Sequence, residues 1–251
     1  MKMNIEPYAI SEKTIYDICT LLTDYVGKEP VYHDGFVTID SGKGAIYPRH
    51  ILTADAKGRS EEVIGNIMEL VKAGGPGYVS YTEEIAGSEH RAALEKHGFV
   101  NFMSQVGMYL EIDKHVFKAD LSPVIRIGED RFDEWENTLN TAFPKPSERD
   151  ALELLVKDPR VAFFGYEADG KIVGTAMAYC KDGICGMHEG GILPEYRGKH
   201  LFRSLLEKCI MHGKENGCEI AALQSNDTGY PSYIACGFIP AGQMPNWRLE
   251  K

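Results

Sequence analysis

Leu193-Pro194-Glu195-Tyr196-Arg197-Gly198-Lys199-His200-Leu201-Phe202 is a basic turn set between two patterned runs. Before it, Gly186 to Ile192 reads as a strand. After it, Leu201, Phe202, Leu205, Leu206, Cys209 and Ile210 recur at helical spacing. The order is strand, basic turn, helix. It leaves the first N–H groups of the helix without intrahelical partners and aims the positive end of the helix dipole at the turn, which suits a phosphate. Arg197, Lys199 and Arg203 add formal charge at the same place. The turn reads as a pyrophosphate site, with a solvated basic loop as the plain alternative.

The 251 residues are enough for one large domain or two of ordinary size. With 43% hydrophobic and 25% charged residues the composition is that of a globular protein. No apolar run approaches the ~18 residues of a membrane span. Met1-Lys2-Met3-Asn4-Ile5-Glu6 has no apolar core behind its basic residue, so no signal peptide is read and a cytoplasmic location is expected. The net charge is −10, from 27 basic and 37 acidic residues, which argues against nucleic acid and anionic membrane as partners. An acidic surface suits a cationic small molecule.

Of the six cysteines, Cys180 and Cys185 flank Lys181-Asp182-Gly183-Ile184, and an Asp-Gly hairpin would set them opposite each other. His188 lies close by, but no second Cys/His pair stands at ligand spacing, so reduced cysteines and no metal are expected.

Along the chain, Ser11 to Val26 has a helical period, with Ser11 as a plausible N-cap and Gly27 as a stop. Short β-like runs from Val31 to Ala54 are broken at Asp34-Gly35 and Ser41-Gly42-Lys43-Gly44. Glu61 to Val71 is helical, Tyr78 to Tyr81 a strand and Ser88 to His97 a helix. Two strands follow, around Gly98-Phe99-Val100 and from Val106 to Ile112. Asp120-Leu121-Ser122-Pro123 is the best linker, which divides the chain into domains 1–120 and 124–251. Beyond it come a strand (Val124 to Ile127) and a helix (Arg131 to Phe143). A break at Pro144-Lys145-Pro146 precedes a second helix, opened by a capping box at Ser147-x-x-Asp150 and running to Lys157. Val161 to Tyr166, Ile172 to Tyr179 and Ile184 to Ile192 form a meander turned at Asp169-Gly170 and Asp182-Gly183. After the basic turn and its helix come a strand (Glu219 to Leu223), a short helix (Thr228 to Cys236) and last strands holding Phe238 and Trp247 to Leu249.

The halves resemble each other. Gly98-Phe99 and Leu110-Glu111 answer to Gly237-Phe238 and Leu249-Glu250 at an offset of 139 residues. Arg59 with Val63, Ile64, Ile67 and Met68 answers to Arg197 with Leu201, Phe202, Leu205 and Leu206 at 138. An internal duplication is expected. Glu61 and Glu62 at the earlier helix start would repel a phosphate, so the first copy reads as degenerate.

Val124 to Lys251 resembles the GCN5-related N-acetyltransferase (GNAT) family. Ile192-Leu193-Pro194 leading into Arg197 is similar to the family's entry to its phosphate loop, Arg/Gln-x-x-Gly-x-Gly/Ala. Asn226, Tyr233 seven residues on, and Gly237-Phe238 keep its later signature. The element order is also the family's. Both loop glycines are replaced, by His200 and Phe202, where glycine would let the backbone come close to a pyrophosphate.

The resemblance implies an α/β (α+β) fold of two GNAT-like mixed, mostly antiparallel sheets flanked by helices. It implies an acyltransferase moving acetyl from acetyl-coenzyme A to a primary amine by direct transfer, with a homodimer left open. Arg197, Gly198, Lys199, His200, Leu201 and Phe202 would hold the pyrophosphate, and Gly191, Ile192 and Leu193 the pantetheine arm beside a bulge at Gly190-Gly191. Tyr233 would be the general acid and touch the cofactor. Asn226 would start a helix or contact the cofactor. Glu189, or else His188, would take the amine's proton, the two facing opposite ways by strand alternation. Leu94, at the matching place in the first copy, has no proton to give. A non-catalytic acyl-coenzyme A sensor and a tandem-fold aminoacyl or peptidyl transferase are the competing readings.

Overall fold

The computed structural model describes residues 5–40, 49–143 and 148–250. In chain order come helix α1 (Pro7–Asp24), strands β1 (Val31–His33), β2 (Phe36–Asp40) and β3 (Arg49–Thr53), helix α2 (Ser60–Lys72), strand β4 (Tyr78–Ser80), helices α3 (Glu83–Ala86) and α4 (Glu89–Lys96) and strand β5 (Phe99–Glu111). Then follow β6 (Val124–Ile127), α5 (Phe132–Ala142), α6 (Arg149–Leu155), β7 (Val161–Ala168), β8 (Lys171–Lys181) and β9 (Ile184–Ile192). The chain closes with α7 (Leu201–Glu215), β10 (Ile220–Ser225), α8 (Tyr230–Cys236) and β11 (Ile239–Leu249). The turn expected at Ser41–Gly44, the break at Pro144–Pro146 and the capping Ser147 lie outside the described residues; Glu148 holds the N-cap position of α6.

The strands form one sheet in the order β1-β2-β3-β4-β11-β5-β10-β9-β8-β7-β6, where two sheets were expected. The physical reason is strand length. The two strands read around Gly98 and Val106 are one 13-residue strand, β5, with no turn between them. The closing strands are likewise one, β11, and Phe238 lies just before it.

The chain divides into two compact units. An N-terminal unit holds Asn4–Met108, Gln224–Asp227 and Pro240–Lys251; a C-terminal unit holds Tyr109–Leu223 and Thr228–Ile239. In the N-terminal unit α1 starts four residues before Ser11, because Pro7 at its first position presets the helical φ. Ser11 lies buried inside the helix and its hydroxyl donates to the Met108 carbonyl at 3.3 Å. Strands β3 and β4 pair in parallel, and β11 joins β4 with Trp247 opposite Val79. Trp247 packs into the core made by Ile51, Val63, Ile64, Ile67 and Val79. The last strand of the sequence thus completes the unit built from the first hundred residues.

In the C-terminal unit β6 to β9 form the expected antiparallel meander. Asp169, Gly170, Asp182 and Gly183 all have positive φ, the pattern of two-residue hairpin turns. The second turn sets Cys180 opposite Cys185, and none of the six cysteines is in a disulfide. Among the described residues no helix is long and apolar enough to cross a membrane.

Candidate active site

Three pieces of the C-terminal unit converge: the end of β9, the turn into α7, and α8. Parallel pairing of β9 with β10 is confined to Ile184–Gly186 against Ile220–Ala222, and β9 runs on to Ile192 without it. On its other edge β9 pairs with β8, and there the register slips: Met177 faces His188 but Thr175 faces Gly191. Glu189 and Gly190 share the place of one residue, and Glu189 takes φ +51°. This is the bulge expected from the glycine pair, centred one residue earlier. The Thr175 hydroxyl pins it by donating to the Glu189 carbonyl at 2.9 Å. The slip also interrupts the strict alternation that was to set His188 and Glu189 on opposite faces.

The two glycines meet different walls. A Cβ on Gly190 would stand 3.0 Å from Cζ of Phe202 and 3.6 Å from the Tyr233 hydroxyl; one on Gly191 would stand 2.9 Å from Phe143. Phe202 and Tyr233 touch edge to face at 5.6 Å, and Phe238 backs Tyr233 at 5.9 Å. Tyr233, Phe202 and the bulge therefore form one cluster, which brings the first turn of α7 and the middle of α8 to the same point. Burial pushes the Tyr233 phenol above its ordinary value, so it stays protonated at neutral pH. Burial holds the His188 imidazole down at about 4, so it stays neutral.

The turn itself is a short 3-10 stretch, Pro194–Tyr196, followed by Gly198 at φ +74° and His200 at φ +61°. His200 occupies the N-cap position of α7, no side chain caps that helix, and no acidic residue stands in its first turn. Its leading N–H groups face the turn. The charges are placed differently from what their proximity in sequence suggests. Arg197 donates from Nε to the Ile192 carbonyl at 3.1 Å and from Nη2 to the Ala142 carbonyl at 2.9 Å, tying the turn to β9 and α5. Arg203 is paired with the buried Glu207 at 2.7 Å. Lys199 lies exposed, its ammonium 4.7 Å from the Tyr196 ring.

Some backbone donors are already used. Leu193 donates to the Val173 carbonyl at 3.0 Å and Arg197 to the Pro194 carbonyl at 3.2 Å. By strand alternation it is Ile192, between Gly191 and Leu193, whose groups point away from β8. Gly229 occupies the N-cap position of α8, so Asn226, exposed three residues upstream, does not cap that helix. Sequence spacing had no means of finding Thr175 or Phe143, which reach this region from other elements.

In the N-terminal unit α2 buries Val63, Ile64 and Ile67. Before that helix stands Gly58, at φ +75°. Its N–H donates to Oε1 of Glu89 at 2.7 Å, which keeps that carboxyl below the usual range. Glu61 pairs with Lys96 at 2.9 Å. A cleft of about 630 Å³ lies here, lined by Gly58, Arg59, Glu61, Glu62, Glu89 and Lys96 among others. The Gly58 N–H in it already holds the chain's own carboxylate.

Residues 129–238 match the model of the Acetyltransferase (GNAT) family. The fold is similar to a GCN5-related N-acetyltransferase from Kribbella flavida, with TM-score 0.72 and 14% identity over 95% of this chain and 96% of that one. It is also similar to one from Sphaerobacter thermophilus, with TM-score 0.63 and 14% identity over 97% of this chain and 93% of that one. No curated protein matches the sequence. At such identities the likeness shows the fold: a GNAT-like mixed sheet flanked by helices.

Proposed function

We propose that this chain is a GNAT-type N-acetyltransferase, moving acetyl from acetyl-coenzyme A to a primary amine of a small molecule, with its chemistry in the C-terminal unit and a degenerate copy before it. The observation that carries this is the Tyr233 hydroxyl set against the bulge at Gly190, beside an uncapped helix start. Those residues fit the co-substrate. The N–H groups from Gly198 to Phe202 would receive the pyrophosphate, aided by exposed Lys199. Ile192 would offer its N–H to the pantetheine arm where β9 leaves β10, with Gly191 and Leu193 flanking it. Arg197 holds the turn in shape through two carbonyls.

Acetyl-coenzyme A supplies an activated thioester. The protein's part is to hold it, shed water and move two protons. Tyr233, kept protonated by burial, gives a proton to the departing sulfur. Glu189, half-buried on the bulge, takes a proton from the attacking amine. His188 is a poor base, because desolvation lowers its affinity for a proton. The −10 net charge favours a cationic acceptor.

The test is an amine panel with acetyl-coenzyme A, wild type against Tyr233→Phe. Turnover that depends on Tyr233 supports the enzyme. Cofactor binding with no turnover on any amine would favour the sensing module, a reading that the strained His200 in the turn makes worth separating.

A further inference from the structure

His115, Glu207 and Cys236 come from three parts of the C-terminal unit: the segment after β5, the middle of α7 and the last residue of α8. One donor atom from each lies within 4.8 Å of the others. The donors are largely buried: the side chains of His115 and Glu207 are 4% and 0% exposed, and Cys236 is 3% exposed. Among them Nε2 of His115 makes no hydrogen bond. It stands 3.6 Å from Glu207 Oε1, too far for one and within ion-pair reach only when the ring is protonated. A buried ring nitrogen left facing a carboxylate across such a gap calls for an explanation.

The spacing supplies it. Two ligands bound at about 2.0–2.1 Å to one tetrahedral zinc stand about 3.4 Å apart. Glu207 is also oriented like a ligating carboxylate. Its Oε2 accepts from the Lys118 and Ala119 N–H groups, both at 2.8 Å, and its Oε1 accepts from Arg203 Nε at 2.7 Å. Outer bonds of this kind fix a ligand in place. With Cys236 as thiolate, the donors carry two negative charges, and Arg203 and a divalent ion carry three positive ones.

We propose that His115 Nε2, Glu207 Oε1 and Cys236 Sγ bind one zinc ion, with water in the fourth tetrahedral position. Mixed nitrogen, oxygen and sulfur donors suit zinc over harder cations. On binding, the Cys236 S–H bond breaks, its proton goes to solvent and the sulfur electron pair goes to the metal. The ion braces α7, which begins at the phosphate turn, against α8, which carries Tyr233. Short-spacing motifs could not show it, because the donors are far apart in sequence.

The test is metal uptake by the full chain. After dialysis against zinc, elemental analysis should give one ion per chain. Cobalt titrated into apo-protein should produce a thiolate-to-cobalt charge-transfer band in the near ultraviolet. Cys236→Ser should remove the band, and His115→Gln should weaken zinc binding at least about tenfold. Circular dichroism checks that both variants fold; if either does not, Cys180→Ser decides, since it leaves the three donors in place and should keep the wild-type band. No stoichiometric uptake, uptake unchanged in both variants, or a band lost only in Cys180→Ser would overturn the proposal. The last result would place the ion on the hairpin thiols.

Discussion

Tyr233 and Phe differ by one oxygen, and the ring contacts with Phe202 and Phe238 do not use it. Tyr233→Phe should therefore fold normally and lower kcat by about a hundredfold or more with little change in KM, the measure of a general acid. An unchanged kcat would remove Tyr233 from the chemistry. His200 presents another single-residue question, because it holds a left-handed backbone that glycine adopts freely. His200→Gly should be more stable than His200→Ala by about 1 kcal/mol in denaturant titrations. Glu12 tests the electrostatics. It accepts from the N–H and hydroxyl of Thr82, and burial raises its carboxyl to about 7. A raised carboxyl contributes stability below its unfolded value near 4.5 that is lost as pH rises through about 7. Glu12→Gln keeps the acceptor without the charge. It should match wild type at pH 4.5 and exceed it at pH 8 by up to roughly 3 kcal/mol.

At the scale of elements, what was legible was what local chemistry determines. Asp182-Gly183 announced its hairpin and the register of Cys180 with Cys185, because a two-residue turn fixes both. Gly190-Gly191 announced a bulge but not its centre, since the pinning bond comes from Thr175 on another strand. The basic turn announced a helix start but misplaced its charges. Arg203 is drawn to Glu207, four residues on, by a helical spacing visible in the sequence but set aside for a phosphate. The walls behind the glycines give a prediction of their own. A Cβ at Gly191 lands 2.9 Å from Phe143 and 3.0 Å from Ala142, so Gly191→Ala should cost about 1–3 kcal/mol by thermal unfolding. Full stability in that variant would show that α5 gives way easily there.

For the whole molecule, where the ends of the chain go is not legible in the sequence. Gly98-Phe99 and Gly237-Phe238 recur in the sequence, but nothing local says that β11 will pair with β4 rather than within its own half. Pairing over that distance is decided by the apolar face each strand offers. Trp247 offers the largest, and it lies in the core of the N-terminal unit. Trp247→Ala should cost about 3–5 kcal/mol and should loosen hydrogen-exchange protection in β3 and β4 before β7 and β8. Protection lost first in the meander would contradict this placement.

The same N-terminal unit supplies its own anion at Gly58 through Glu89, while α7 begins uncapped. Calorimetric titration of acetyl-coenzyme A into the full chain tests that contrast directly. One site per chain is predicted, abolished or shifted by changes at Lys199 and His200 and indifferent to Glu89→Gln. Two sites per chain, or none, would contradict it.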